Sequence, residues 1–273
     1  MAKSKKKVVR VDKTTKKTAG GKGSEPAWKP TPEAKGKATK LRWIAALLWL
    51  IAIAGEAATI IWILNPEETV DENGATVAGE VNMVILIGAI VLIGILAIIG
   101  SLLWKKANRA DPAPRSQPFR FWVQNQLGLL ISIVAFLPLI ILIFANKDMD
   151  KQQKTVAGVV AIVVAVIASL FGVSWDSPSV EQYADETARV VELTGDDMVA
   201  WTKFGDYYHL CEDVPAVNLE SSDPQIYTGT VGDAHADGKK GITLELPEEL
   251  AACGFEIPDN VDEIVEEIRQ ERE

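Results

Sequence analysis

The residues of this chain with most scope for chemistry lie in WTKFGDYYHLCEDV, residues 201–214. There His209 and Cys211 stand two positions apart, just after what reads as a β-hairpin. An imidazole and a thiolate are ligands that zinc takes, and a second thiol, Cys253, follows in LAACGF. His209, Cys211 and Cys253 are therefore the candidate metal ligands, although two groups on one strand reach one ion only if the strand twists. The reading adopted is metal-free, with Tyr207 and His209 packing or hydrogen-bonding, and no cofactor is expected. A reactive thiol needs a stabilised thiolate, and the neighbouring Glu212 and Asp213 work against one. The two histidines, His209 and His235, have no nucleophile or carboxylate at a recognisable spacing, and no Gly-rich phosphate loop exists. The chain is read as not an enzyme.

Inside the apolar part of the sequence the polar groups are few. Glu56 is the only ionisable residue deep within a hydrophobic run, so it should face other helices and be protonated or hydrogen-bonded. Asn82 is its expected partner. Glu56 could instead serve a proton or cation path, but transporters usually show paired charges or broken helices. Gln124, Asn125 and Gln126 form a second polar cluster, suited to capping or bridging helices near the head groups.

These groups must be positioned by four long hydrophobic segments, at about 41–64, 81–104, 121–145 and 155–173. At 1.5 Å per residue, about 24 residues cover about 36 Å, enough to cross a bilayer with some tilt. Trp43, Trp62, Trp104, Trp122 and Trp175 fall at segment ends, where an indole sits at head-group depth, while Trp49 reads as a packing residue. Small residues should line the helix contacts: Ala157, Ala161, Ala165 and Ser169 in the fourth segment, with Gly128 and Ser132 in the third. Pro138 should kink the third.

Charge divides the chain more sharply than its net value of −9 suggests. Residues 1–42 carry 14 basic and 3 acidic side chains, and residues 175–273 carry 6 and 25. The connection 65–80 has no Lys or Arg, whereas 105–120 has five, so the positive-inside rule places both termini in the cytoplasm. The connection NKDMDKQQK, with three lysines, dissents. Cytosolic cysteines should stay reduced, and two are too few for a disulfide framework. Residues 1–40 have almost no large apolar side chains and read as a disordered basic tail. Its expected contact is anionic lipid, not nucleic acid, because no recognition motif accompanies the lysines.

Residues 175–273 read as a small acidic α+β domain. A helix in SPSVEQYADETARVVELTG ends at Gly195 and turns Val180, Tyr183, Ala184, Thr187, Val190 and Val191 inward. MVAWT and YYHL flank KFGD as a hairpin, QIYTGT and GITLEL read as strands, VGDAHADG as a short helix, and NVDEIVEEIRQERE as a charged terminal helix. The fold class is thus an α-helical membrane protein of four transmembrane helices with a small α+β C-terminal soluble domain.

The stretches IIGSLLWKKANRADPA, FWVQNQLG and AFLPLIILIFANKDMDKQQK, followed by a WT-x-x-G-x-x-YH hairpin, resemble an uncharacterised family of Gram-positive (actinobacterial and firmicute) four-span membrane proteins. The resemblance implies a small zinc site, with a Cys five residues after the histidine and a later C-x-x-C pair. Here those positions are Val214, and near Thr243 and Leu246, none of which ligates zinc. The function expected is a non-enzymatic anchor in the plasma membrane, presenting a degenerate zinc-ribbon-like domain to a protein partner. Its +11 arm could latch onto the −19 tail. The alternatives are a small transporter or channel using Glu56, and a metal sensor through His209 and Cys211.

Overall fold

A computed structural model describes residues 6–10, 28–66, 69–70, 76–77, 79–175, 177–220 and 222–272. In chain order it contains strand β1 (Lys7–Arg10), helix α1 (Pro32–Ala58), which runs into a π-turn at Thr59–Ile63, and the strand pair β2 (Thr69–Val70) and β3 (Thr76–Val77). Helices α2 (Met83–Ala110), α3 (Pro118–Ala145) and α4 (Lys151–Gly172) follow. The C-terminal region adds α5 (Val180–Thr194), β4 (Val199–Trp201), β5 (Gln225–Gly229), α6 (Val231–Ala236), α7 (Leu246–Cys253) and α8 (Val261–Glu271). The chain divides into two compact units, one of residues 38–108 and 118–177, the other of residues 1–37, 109–117 and 178–273.

The first unit holds the apolar helices. Among the described residues, four helices, beginning at Pro32, Met83, Pro118 and Lys151, are long and apolar enough to cross a membrane, as expected of a multi-pass membrane protein. Their ends follow from local chemistry. Asn82 caps α2 by accepting from the Ile85 N–H at 3.1 Å, and Asp150 with Gln153 forms a capping box at α4. Trp43, Trp62, Trp122 and Trp175 are exposed, and Trp49 is buried, with its indole N–H donating to the Ala97 carbonyl at 3.3 Å. Backbones meet where α3 passes α4: a Cβ on Gly172 would lie 2.6 Å from main-chain atoms of Gly128 and Leu129. Small residues permit that approach in lipid, where helices gain nothing hydrophobic by leaving the acyl chains.

The buried stripe of α4 differs from the four-residue ridge expected. Ala157, Gly158, Ala161, Ala168 and Gly172 are buried, while Ala165 and Ser169 are only half-buried. Strict four-residue steps advance 40° beyond a full turn each time and walk around the helix. Steps of four, seven and four, from 157 to 161, 168 and 172, stay on one face.

The second unit is a three-stranded sheet in the order β1-β5-β4, with helices packed on it. Its core gathers Val190, Trp201, Tyr208, Val231, Ile242, Leu246, Leu250 and Ile268. Of the expected hairpin a single rung forms, where Ala200 and His209 exchange backbone hydrogen bonds of 2.8 and 2.7 Å, and YYHL is not itself a strand. Helix α5 ends at Gly195, which takes a left-handed φ of 82°.

Three expectations are corrected here. GITLEL is not a strand: Ile242 makes only a single bridge to Tyr208, and Leu246 opens α7, with Pro247 in its first turn. The inward face of α5 is Tyr183, Glu186, Val190 and Leu193, so a glutamate replaces Val191, which is exposed. The N-terminal 40 residues are not wholly unstructured. Lys7–Arg10 forms β1, pairing parallel with Gln225–Thr228, and α1 starts at Pro32. The signal for that start is Thr31-Pro32-Glu33: the Thr31 hydroxyl accepts from the Ala34 N–H, proline takes the first helical position, and an acid follows. The lysines at 3, 5, 13, 16, 17 and 22, expected in the disordered tail, lie outside the described residues.

Candidate functional site

His209 and Cys211 face helix α7, and each meets a side chain there. His209 Nδ1 lies 2.5 Å from Glu249 Oε1, and Glu249 Oε2 accepts the Leu210 N–H at 3.0 Å. Cys211 is joined to Cys253 in a disulfide, with Cα atoms 6.0 Å apart. The two contacts are successive rungs. Two residues of extended chain advance about 6.6 Å and four residues of helix about 6.0 Å, so the 209/211 pair registers with the 249/253 pair.

This ladder overturns one sequence expectation, that the cysteines stay reduced, and it engages all three candidate metal ligands. The cysteines are not separate thiols, because the match of strand and helix rise brings them together. His209, Cys211 and Cys253 do not make a metal site, since the sulfurs are bonded to each other and the imidazole to a carboxylate. Among the described residues, no group of three or more His, Cys, Asp or Glu side chains is placed to hold a metal ion. Val214 and Leu246 are fully buried in apolar clusters, and Thr243 is buried nearby, its N–H donating to the Tyr208 carbonyl. Glu249 went unnoticed in the sequence, although its four-residue spacing from Cys253 was the available signal.

His235 carries the second polar centre. It stacks flat on Tyr183 with ring centres 4.0 Å apart, and Tyr208 meets its edge. Its Nε2 lies 2.8 Å from Glu186 Oε2 and its Nδ1 3.0 Å from the Lys239 carbonyl. Glu186 also accepts from the Tyr208 hydroxyl at 2.7 Å and from Gln182 Nε2 at 3.0 Å. Burial pushes the Glu186 carboxyl up, but the charge of His235 and the hydrogen bonds from His235, Tyr208 and Gln182 outweigh it, leaving Glu186 below the ordinary value of 4.5. Burial, then the negative charge of Glu186, holds the Tyr208 phenol well above 10. Sequence spacing had given His235 no carboxylate partner; the structure supplies one 49 residues away.

Lys239 closes the KFGD turn. The buried ammonium donates to the carbonyls of Thr202 at 2.7 Å, Lys203 at 3.3 Å and Gly205, so three N–H groups meet three acceptors. Burial lowers its pKa from 10.5, opposed by Asp237 and Asp206. Together these contacts direct Glu186, His235, Glu249 and Lys239 at the domain's own backbone and side chains.

In the helical unit, Glu56 is buried and its Oε1 accepts the Leu139 N–H at 3.2 Å. Leu139 follows Pro138, whose ring disturbs the helix ladder, so the carboxyl group offers an acceptor where α3 is weakest. The expected partner, Asn82, caps α2 instead. Gln124 and Asn125 are buried and Gln126 is half-buried. The bridging there runs to backbone: the Gln124 carbonyl accepts from Trp104 Nε1 at 2.8 Å and Asn108 Nδ2 at 2.6 Å, while Asn125 Nδ2 donates to the Phe121 carbonyl at 3.0 Å. Asn108 was not foreseen, because it sits in a run that reads as the connection beyond the apolar segment.

Comparison with protein-family models, with curated proteins and with solved structures found no match for this chain.

Proposed function

We propose that this chain is a non-catalytic interaction module, a four-helix anchor of the cell membrane that presents its acidic domain to a protein partner. The observation that carries the reading is the β1–β5 pair. A strand from the far N-terminus completes the sheet of the C-terminal domain through main-chain bonds, while Lys7, Val8 and Arg10 stay exposed. A sheet edge that accepts an extended segment so superficially is a recognition surface. The His209–Glu249 contact supports a scaffold role, because it commits the imidazole to holding α7 in place.

Both termini face the cytoplasm in this reading, on the strength of five basic residues in 105–120 against none in 65–80. In that compartment the Cys211–Cys253 bond is reversible, made under oxidising conditions and open otherwise. The domain is a metal-free counterpart of the zinc-bearing hairpin domains it resembles, with Val214, Thr243 and Leu246 where ligands would stand.

Affinity capture from native membranes tests the module. The intact chain should retain a protein that a chain ending at residue 177 loses. Identical captured sets from the two would remove the reading.

A further inference from the structure

Resting on the interaction-module reading, we propose that the edge of β5 is a binding site for extended basic peptides. Its ligand aligns parallel to Gln225–Thr228 and carries two aliphatic residues between basic ones. The chain's own Lys7-Val8-Val9-Arg10 is the resident occupant.

The pairing is unusual for a strand of the same domain. Parallel strands are normally joined by a crossover of a dozen or more residues, commonly one helix. Here more than 200 residues and four long helices separate β1 from β5. Among the described residues, the clusters around Trp201 and around Ile226 include no residue of β1, and Val8 is 43% exposed beside Ile226. Removing β1 therefore leaves these two clusters untouched and uncovers one row of backbone donors and acceptors on β5, the condition that invites strand addition.

Contacts at the edge define the ligand. Lys7 N–H donates to the Pro224 carbonyl at 3.1 Å, and by the two-residue alternation of a strand the Val9 N–H faces β5 as well. Lys6 Nζ reaches the Val217 carbonyl at 3.0 Å, just outside the sheet. The pairing places Val8 opposite Ile226 and Val9 opposite Tyr227, so the two central residues must be compatible with a sheet. With 25 acidic and 6 basic residues, the domain favours a cationic strand over an acidic one at long range.

The resident strand is tethered close by. Trp28 packs edge-on against Tyr183 with ring centres 5.0 Å apart, and a Cβ on Gly232 would lie 2.7 Å from the Trp28 ring. With Trp28 docked, a displaced β1 remains covalently tethered near its site. A competing peptide must overcome that advantage.

The test uses a fluorescent peptide of residues 2–12, AKSKKKVVRVD, titrated into the purified chain in nanodiscs. A chain lacking residues 1–12 should bind it at least about tenfold more tightly than the full chain, whose site is filled. The full chain carrying Val9→Pro, which keeps the arm's charge but loses a main-chain donor, should behave like the truncated one. The same peptide with Val9→Pro should not bind either. Equal affinity of full and truncated chains, no binding to the truncated chain with its tryptophan fluorescence intact, or undiminished binding of the proline peptide would overturn the proposal. None of these outcomes depends on a captured partner, so the module reading fails or stands separately.

Discussion

His235 lies between two oxygen acceptors, with Nε2 2.8 Å from the Glu186 carboxylate and Nδ1 3.0 Å from the Lys239 carbonyl. Both neighbours are acceptors, and the ring stacks on Tyr183 in a site closed to water. This pair ties α5 to α6 across the centre of the domain.

The pair makes the domain acid-labile. The folded Glu186 carboxyl titrates below its ordinary 4.5, so its contribution is present above that value and disappears as pH falls through the lower, folded-state value. Glu186→Gln at pH 7 should cost about 3–5 kcal/mol, the range for breaking a buried pair from one side. Unfolding monitored by Trp201 fluorescence from pH 7 to 3 should show a steep acid loss in the native chain and a shallower one in the variant. Parallel profiles would mean that Glu186 is not the controlling carboxylate.

The Cys211–Cys253 bond closes 42 residues of chain, worth about 4 kcal/mol in the loop-entropy account. Cys211→Ser should lower the stability of purified, oxidised protein by about that amount and leave reduced protein almost unchanged. Trapping with N-ethylmaleimide at the moment of lysis reads the state in cells. Two labels per chain are expected for a cytoplasmic domain, and none after oxidation in air. An unlabelled chain at lysis, with its tail cleavable by protease added outside, would reverse the orientation proposed.

Much of this architecture could be read from the sequence because each element has a local cause. The apolar segments, the serine start of α5 at Ser179 and the stop at Gly195 depend on neighbours within a few residues. What escaped depends on distant partners. Glu186 was absent from the face expected to turn inward, because its partners His235 and Tyr208 come from later elements, and Glu249 became legible only when α7 met the hairpin. Strand β1 is the extreme case, since nothing near KVVR announces a partner at residues 225–228. The Thr31-Pro32-Glu33 start, by contrast, was a local signal passed over because the surrounding composition is polar.

Lys239 should be the hinge of hairpin stability. Lys239→Met keeps the stem but leaves the carbonyls of Thr202, Lys203 and Gly205 without their donor, a loss of about 1–3 kcal/mol for the first group left unsatisfied in a buried setting. Amide exchange should quicken in residues 202–208 and leave α8 unaffected. Because folding lowers the Lys239 pKa, the unfolded chain binds more protons between the two values. Stability of the native chain should therefore gain from Lys239 as pH rises through that alkaline window, and the methionine variant should lack the gain. A methionine variant with unchanged exchange in the turn would place the anchor elsewhere.

Glu56 separates an architectural role from a transport role. Its Oε1 accepts from Leu139, immediately after Pro138, so what the site requires is an oxygen and not a charge. Glu56→Gln retains that oxygen and should leave unfolding in detergent close to native. Glu56→Leu removes it and should cost about 0.6 kcal/mol, with about 1.7 as the upper end for a hydrogen bond between membrane helices. Proton and monovalent-cation leak in proteoliposomes should be the same for the native chain and for Glu56→Gln. A carrier using this carboxyl to take up and release protons could not work with an amide, which does not titrate. Flux present in the native chain and abolished by Glu56→Gln, with both equally folded, would turn Glu56 from a brace beside a proline into a conducting group.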